Sequence, residues 1–335
     1  GDGRHLLMQT VHMAEEMGYQ CKIGPECEFY LFELDENGDP TLRPQDQAGY
    51  FDVAPLDKGE NVRREICLTL EQMGLHPETS HHEQGPGQNE IDFRYSDALS
   101  AADNLVTFQS VVKAVAAANG LYGSFLPKPL PGKSGSGLHV NLSLFKNGLN
   151  IFRTGPREHS REAECFIAGV LRHIREVTLF LNPLTNSYLR FGSFEAPRYV
   201  TWSRQNRSQL VRIPAARGEF SRMELRSPDP ACSPYLAFSL LIRAGLDGVE
   251  RGLPLPPSTD LNLYEAPGEL LGSLEALPAD LGEAIEAASA SSFVRSVLPE
   301  TTLRRILADK TAEWNRCFAA ADRREFELAE YFHRI

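Results

Sequence analysis

Several stretches of the chain alternate apolar and polar positions with the period of two that marks a strand buried on one face. Over 22–34, Ile23, Cys27 and Phe29 fall on one side while Glu26 and Glu28 share the other. Segments 81–83 and 88–95 read as strands joined by Gln84-Gly85-Pro86-Gly87, whose glycines and proline favour a turn. Residues 137–145 alternate most cleanly, with Leu138, Val140, Leu142 and Leu144 against His139, Asn141, Ser143 and Phe145. Residues 222–226 repeat the pattern, Arg222, Glu224 and Arg226 opposing Met223 and Leu225. Helical spacing takes over at 1–18, 59–73, 97–119 and 160–181, with Ser96 the expected N-cap of the third helix and Gly120 its stop. From Pro234 onward the chain reads as largely helical, broken by the proline-rich stretch 253–267. The predicted class is α+β, an antiparallel sheet backed by helices.

Composition narrows the picture. A chain of 335 residues that is 42% hydrophobic and 24% charged can bury a large core, which excludes a disordered, fibrous or disulfide-scaffold protein. Its apolar runs, such as 235–242, fall far short of the roughly 20 residues of a membrane span. No secretory leader is read at 1–18, so a cytoplasmic location and no membrane partner are expected. A formal net charge of −11 argues against nucleic acid as a partner. Six scattered cysteines without a C-x-x-C pair suggest a reduced protein whose thiols serve as small apolar side chains.

The polar sides of the predicted strands carry five carboxylates and an imidazole: Glu26, Glu28, Glu83, Glu90, Glu224 and His139. The plainest reading of any one strand is the wet face of a half-buried sheet. Glu26 and Glu28, however, sit together with no basic residue between them, an arrangement that costs energy unless a cation intervenes. Oxygen ligands with a minority of imidazole suit hard divalent ions, Mg²⁺ or Mn²⁺. A second group, Arg190, Arg204, Arg207, Arg212, Arg222 and Arg226, offers the forks that bind carboxylate and phosphate. Metals beside arginines match the needs of phosphoryl transfer. The loop Lys133-Ser134-Gly135-Ser136-Gly137 lacks P-loop spacing and is at best a place where backbone approaches a ligand.

Seven motifs in order then resemble the bacterial type I glutamine synthetases. They are Gly24-Pro25-Glu26-Cys27-Glu28-Phe29; His81-His82-Glu83 through Gln88-Asn89-Glu90; and Lys128-Pro129 through Gly137-Leu138-His139. Asn186-Ser187-Tyr188, Glu195-Ala196-Pro197, Asn206-Arg207-Ser208 with Arg212-Ile213-Pro214, and Arg222 to Arg226 with Asp229-Pro230 complete the series. The resemblance implies one catalytic domain over 1–335, a curved antiparallel sheet backed by helices. It implies no counterpart here of the family's N-terminal β-grasp domain, which completes a neighbouring subunit's site in a homododecamer.

The resemblance also implies roles. Glu28, Glu83 and Glu90 match the ligands of one metal; Glu26, His139 and Glu224 match those of a second that bridges the ATP phosphates. Arg190, Arg226, Gly135 and Glu195 match the glutamate end, with Glu195 the flap residue that takes a proton from the incoming nitrogen. Asn141, Ser143, Arg207, Arg212 and Arg222 match the ATP side, and Glu195, Arg190 and Arg207 are the catalytic set. The implied reaction joins ammonia to L-glutamate at the expense of ATP through γ-glutamyl phosphate. A relative using a polyamine or ethanolamine, or a non-catalytic scaffold, are the alternatives. Leu189 in place of a family lysine and a flap one residue short, Phe191-Gly192-Ser193-Phe194, leave room for another amine.

Overall fold

The computed structural model describes residues 2–152, 160–204, 206–216 and 218–335. Among the described residues eleven strands form one sheet: β1 (Gln20–Leu34), β2 (Pro40–Pro44), β3 (Pro77–His82), β4 (Gln88–Phe93), β5 (Ser96–Asp97), β6 (Leu121–Ser124), β7 (Leu138–Lys146), β8 (Leu149–Asn150), β9 (Trp202–Arg204), β10 (Val211–Ile213) and β11 (Met223–Leu225). The main path runs β3-β4-β1-β7-β11-β10-β9, with β2, β5 and β6 pairing to β1 and β8 to β7. The expected antiparallel sheet is found with one exception, since β9 and β10 run parallel at the edge. Among the described residues no helix lies between them, and 206–210 lead into β10 without forming a strand or helix.

The helices are α1 (Gly3–Glu16), α2 (Glu60–Gln72), α3 (Ala98–Ala118), α4 (Arg161–Leu181), α5 (Pro234–Arg251), α6 (Gly268–Ser273), α7 (Leu281–Ala290), α8 (Ser292–Val297), α9 (Glu300–Ala319) and α10 (Arg323–Glu327). All four helices expected before Pro234 are present, although Gly1 of the first lies outside the described residues. Ser96 is not the cap of α3. Asp97 is, its carboxylate accepting from Ser100 N–H, while Ser96 closes a short bridge to β1. The helix begins at Ala98, so the residue before it, Asp97, is the one whose side chain reaches the free N–H groups.

The apolar side of β1 makes the core. Ile23, Cys27, Phe29 and Leu31 are fully buried against α3, where Phe29 meets Phe108 at 6.0 Å between ring centroids. Burying one such side chain contributes about 1.5–3 kcal/mol. α4 and α5 pack on each other and share the same core cluster as the apolar residues of β7 and β11. With one face filled by helices, every even-numbered side chain from Lys22 to Glu28 is committed to the other. No helix among the described residues is long and apolar enough to cross a membrane.

Candidate active site

Strand register builds the acidic cluster. In β1, Glu28 lies opposite Glu90 of β4, and Glu26 lies opposite both Asp92 of β4 and His139 of β7. One strand further on, Asn141 of β7 faces Glu224 of β11. Ligand atoms of Glu28, Glu90 and His139 lie within 4.8 Å of one another, and so do those of Glu26, His139 and Glu224. Glu83 follows β3 directly; its backbone N–H donates to the Gln88 carbonyl at 2.8 Å, which aims the residue at the same face.

This face is not wet. Glu28 is 8% exposed, Glu90 6% and Glu224 0%, and Tyr50 and Phe51, Ser134 and Gly135, and Phe194 and Glu195 wall the space above the acids. Burial, then the charge of Glu83, raises the Glu28 carboxyl above its ordinary range. Burial and the neighbouring acids Asp92, Glu28 and Glu83 push Glu90 up further. Asp92 is raised to about 7 by burial and by Glu26. Glu26 goes the other way. Burial alone would raise it, but hydrogen bonds from His139 and Asn141, with Arg212 nearby, hold it down at about 2.

Among the described residues no lysine or arginine pairs with Glu28, Glu83 or Glu90. Glu28 instead accepts from Gln88 Nε2 at 3.0 Å and Gly137 N–H at 2.7 Å. Repelling carboxylates with an imidazole beside them form a donor set that fits hard divalent cations. Glu224 differs, because Arg212 and Arg226 both pair with it.

Five of the six expected arginines surround this cluster. Arg190 is 3% exposed and donates to the Ser227 carbonyl at 2.9 Å. The Nε groups of Arg190, Arg212 and Arg226 are buried without a hydrogen-bond partner. Arg190, Arg207, Arg212 and Arg226 all line one cavity, a concentration of cationic forks that suits an anion. Arg207 reaches Glu195 at 3.2 Å, and Arg226 lies 3.9 Å from the same carboxylate. Arg204 is the exception: it lines a separate surface depression with Arg161 and Trp202.

Two cavities meet over the acids. The larger, about 340 Å³, is lined by Glu28, Glu83, Glu90, Gly135, Arg190, Glu195 and Arg226 among others. Gly135 is required there, since a Cβ would strike the Pro127 carbonyl and lie 2.6 Å from Arg190 Cγ. The second, about 310 Å³, holds Asn141, Ser143 and Arg222 between Tyr95 and Phe220. Arg222 Nε donates to Asn141 Oδ1 at 2.8 Å. Glu26, Thr79 and Asp92 border both cavities and so mark their junction.

Several lining residues escaped the sequence reading. Gln88 and Asp92 share a β4 face with Glu90, so the alternation that selected Glu90 could have found them. His81 lines the cavity while His82 turns away to Asp46 at 2.9 Å, as adjacent strand residues face opposite ways. Tyr50 and Phe51 come from an irregular loop, Phe51 stacking on His81 at 4.4 Å, and no periodicity announces them. Tyr95 and Phe220 likewise sit beyond strand ends.

Fold and site together are those of a catalytic domain that gathers cation ligands and arginines on one sheet face. A family model described as glutamine synthetase, catalytic domain, matches residues 1–329. Glutamine synthetase of Methanosarcina mazei is 48% identical, spanning 100% of this chain and 76% of its own length. That of Clostridium saccharobutylicum is 47% identical over 94% of this chain and 72% of the relative. A solved GmaS–ADP complex superposes with a TM-score of 0.86 at 31% identity, over 98% of this chain and 76% of that one. A Plasmodium falciparum glutamine synthetase gives 0.83 at 25% identity, over 97% of this chain and 78% of that one. The chain belongs to the glutamine synthetase family.

Proposed function

We infer that the protein joins ammonia to L-glutamate, using ATP and forming γ-glutamyl phosphate on the way to glutamine, ADP and phosphate. The observation that carries this reading is the junction of two cavities over a buried carboxylate–imidazole cluster lined by arginines. Family membership supports the same chemistry.

Glutamate occupies the larger cavity, where Gly135 lets its backbone lie close and Arg190 and Arg226 meet its charges. ATP lies along the second cavity, its base near Asn141, Ser143, Tyr95 and Phe220, with Arg222 on its polar edge. Its phosphates reach the junction beside Glu26, within range of Arg207 and Arg212. A glutamate γ-oxygen attacks the terminal phosphorus and ADP leaves. The arginines neutralise charge on the transferring group without reorganising, because their neighbours already fix them. Divalent Mg²⁺ or Mn²⁺, held by Glu28, Glu83 and Glu90 and by Glu26, His139 and Glu224, would supply further charge neutralisation when bound.

Ammonia then attacks the acyl carbon and phosphate departs with its carboxylate oxygen. Glu195, held over the cavity by Arg207 and Arg226, accepts the proton that the new amide sheds. Acyl phosphates hydrolyse readily, so the loop bearing Glu195 also serves to exclude water. Residues 1–335 act as one catalytic domain in the cytoplasm, within a homododecamer whose neighbouring copies complete each site.

Phosphate release by the complete protein, with ammonia, putrescine and ethanolamine compared, tests the reading. Turnover with ammonia well above either amine is expected. Faster turnover with an amine would transfer the protein to the amine ligases, and none with any nucleophile would leave only a scaffold.

A further inference from the structure

Lys128 is a buried cation, 7% exposed, behind the wall of the larger cavity. Its ammonium donates to the Lys133 carbonyl and stands over the Phe194 ring, 4.6 Å from the centroid. Burial, then the charge of Arg190, lowers its pKa to about 8. The Lys128 backbone is clamped from two directions. Its N–H donates to Asn186 Oδ1 at 2.7 Å, and its carbonyl accepts from Asn186 Nδ2 at 3.2 Å and from Arg324 at 3.0 Å. An ammonium on so fixed a backbone is an anchor.

Phe194 is the opposite kind of residue. It is 46% exposed, and it and Glu195 have φ of +49° and +63°, left-handed backbone that non-glycine residues adopt only at a cost. Two short-range bonds close the loop tip, Gly192 N–H to the Ala196 carbonyl at 2.9 Å and Ala196 N–H to the Ser193 carbonyl at 3.0 Å. Such a shape persists where its surroundings hold it. Arg207 and Arg226 restrain the Glu195 carboxylate, and the polar restraint on the neighbouring ring is Lys128. Phe194 and Glu195 line the cavity, whereas Lys128 lies behind it and acts through them.

We propose that Lys128 is a positioning residue for the ligation: its clamped ammonium holds the Phe194 ring, and thereby keeps Glu195 seated over the reacting carbon. The proposal rests on the ligase reading above for its consequence, though the contact itself does not. A cation–π contact needs only a cation and an aromatic face. Lys128→Arg and Phe194→Tyr therefore retain it, while Lys128→Met and Phe194→Leu remove it.

Two measurements on the complete enzyme test the proposal. The first is hydrogen exchange at the Gly192 and Ala196 amides, whose bonds belong to this loop shape. The second is the ratio of phosphate released to glutamine formed. That ratio rises when water reaches the acyl phosphate, and a smaller folded fraction does not move it. Lys128→Met and Phe194→Leu should each speed the exchange about fivefold, the scale of one partly desolvated cation–π contact, and each should raise the ratio above one. The double variant should go no further than either single one. Lys128→Arg and Phe194→Tyr should stay within about twofold of the parent. Unchanged exchange or an unchanged ratio in either disrupting variant overturns the proposal, as do additive effects in the double variant. If Lys128→Met fails to fold, Phe194→Leu on the exposed loop decides alone. A parent enzyme that makes no glutamine would sink the ligase reading, and exchange would then decide the Lys128–Phe194 contact by itself.

Discussion

Glu28 and Glu224 hold similar positions in the acidic cluster but meet different neighbours, so the same substitution should have different consequences. Neutral donors surround Glu28 and like charges press on it, whereas Glu224 balances two buried arginines. Glu28→Gln keeps an oxygen for both donors and relieves repulsion. Its stability in metal-free buffer should equal or exceed the parent's. Glu224→Gln strands Arg212 and Arg226 and should cost about 3–5 kcal/mol. Both variants should lose at least about a hundredfold in turnover, more than is typical for a partner of a metal ligand. Urea titrations and glutamine assays on the two proteins check this. Near-normal activity with Mg²⁺ in either would remove that residue from the metal site. At this scale the acids were legible because alternation alone commits a strand residue to a face. The pairing of Glu224 with Arg212 was not, since it depends on how β10 and β11 register.

The helical layer turns on one crossing that periodicity does not reveal. α4 and α5 touch at Gly169 and Gly248, where a Cβ on Gly169 would strike the Ala244 carbonyl and lie 2.8 Å from Gly248 Cα. The apolar stripe announces each helix, but only the absent side chains say how near the backbones come. Gly169→Ala should destabilise by about 1–3 kcal/mol, read as a shift in the urea midpoint; a neutral effect would mean that the helices separate freely. The same helix pair carries a pH signature. His173 on α4 bonds Asp247 on α5 at 2.9 Å and stacks on Phe293. Burial would raise Asp247, but hydrogen bonds from His173 and Arg251 outweigh it and leave the carboxyl below its ordinary value. The stabilisation is therefore present above about pH 3.9 and is lost as pH falls through the lower folded value. Asp247→Asn should flatten this part of the acid limb in stability-versus-pH curves. Parallel curves for variant and parent would contradict the assignment.

Across the whole molecule, sheet and loops divide the site between them. The sheet supplies the cation ligands, and its four acidic segments could be placed on one face before any coordinates. Tyr50, Phe51, Tyr95 and Phe220 come from loops or strand ends, whose positions follow from packing rather than from repeat. Arg204 was grouped with the site by its sequence proximity, yet its short edge strand carries it to another surface. The central claim joins both parts: a carboxylate from one cavity takes the phosphoryl group delivered from the other, and ammonia then displaces it. Glutamate labelled with ¹⁸O in its γ-carboxylate tests that claim most directly. With ATP and ammonium, the account predicts one ¹⁸O in each phosphate released and one phosphate for each glutamine formed. Glutamine formed with unlabelled phosphate would contradict it, because the carboxylate would then never have been joined to phosphorus.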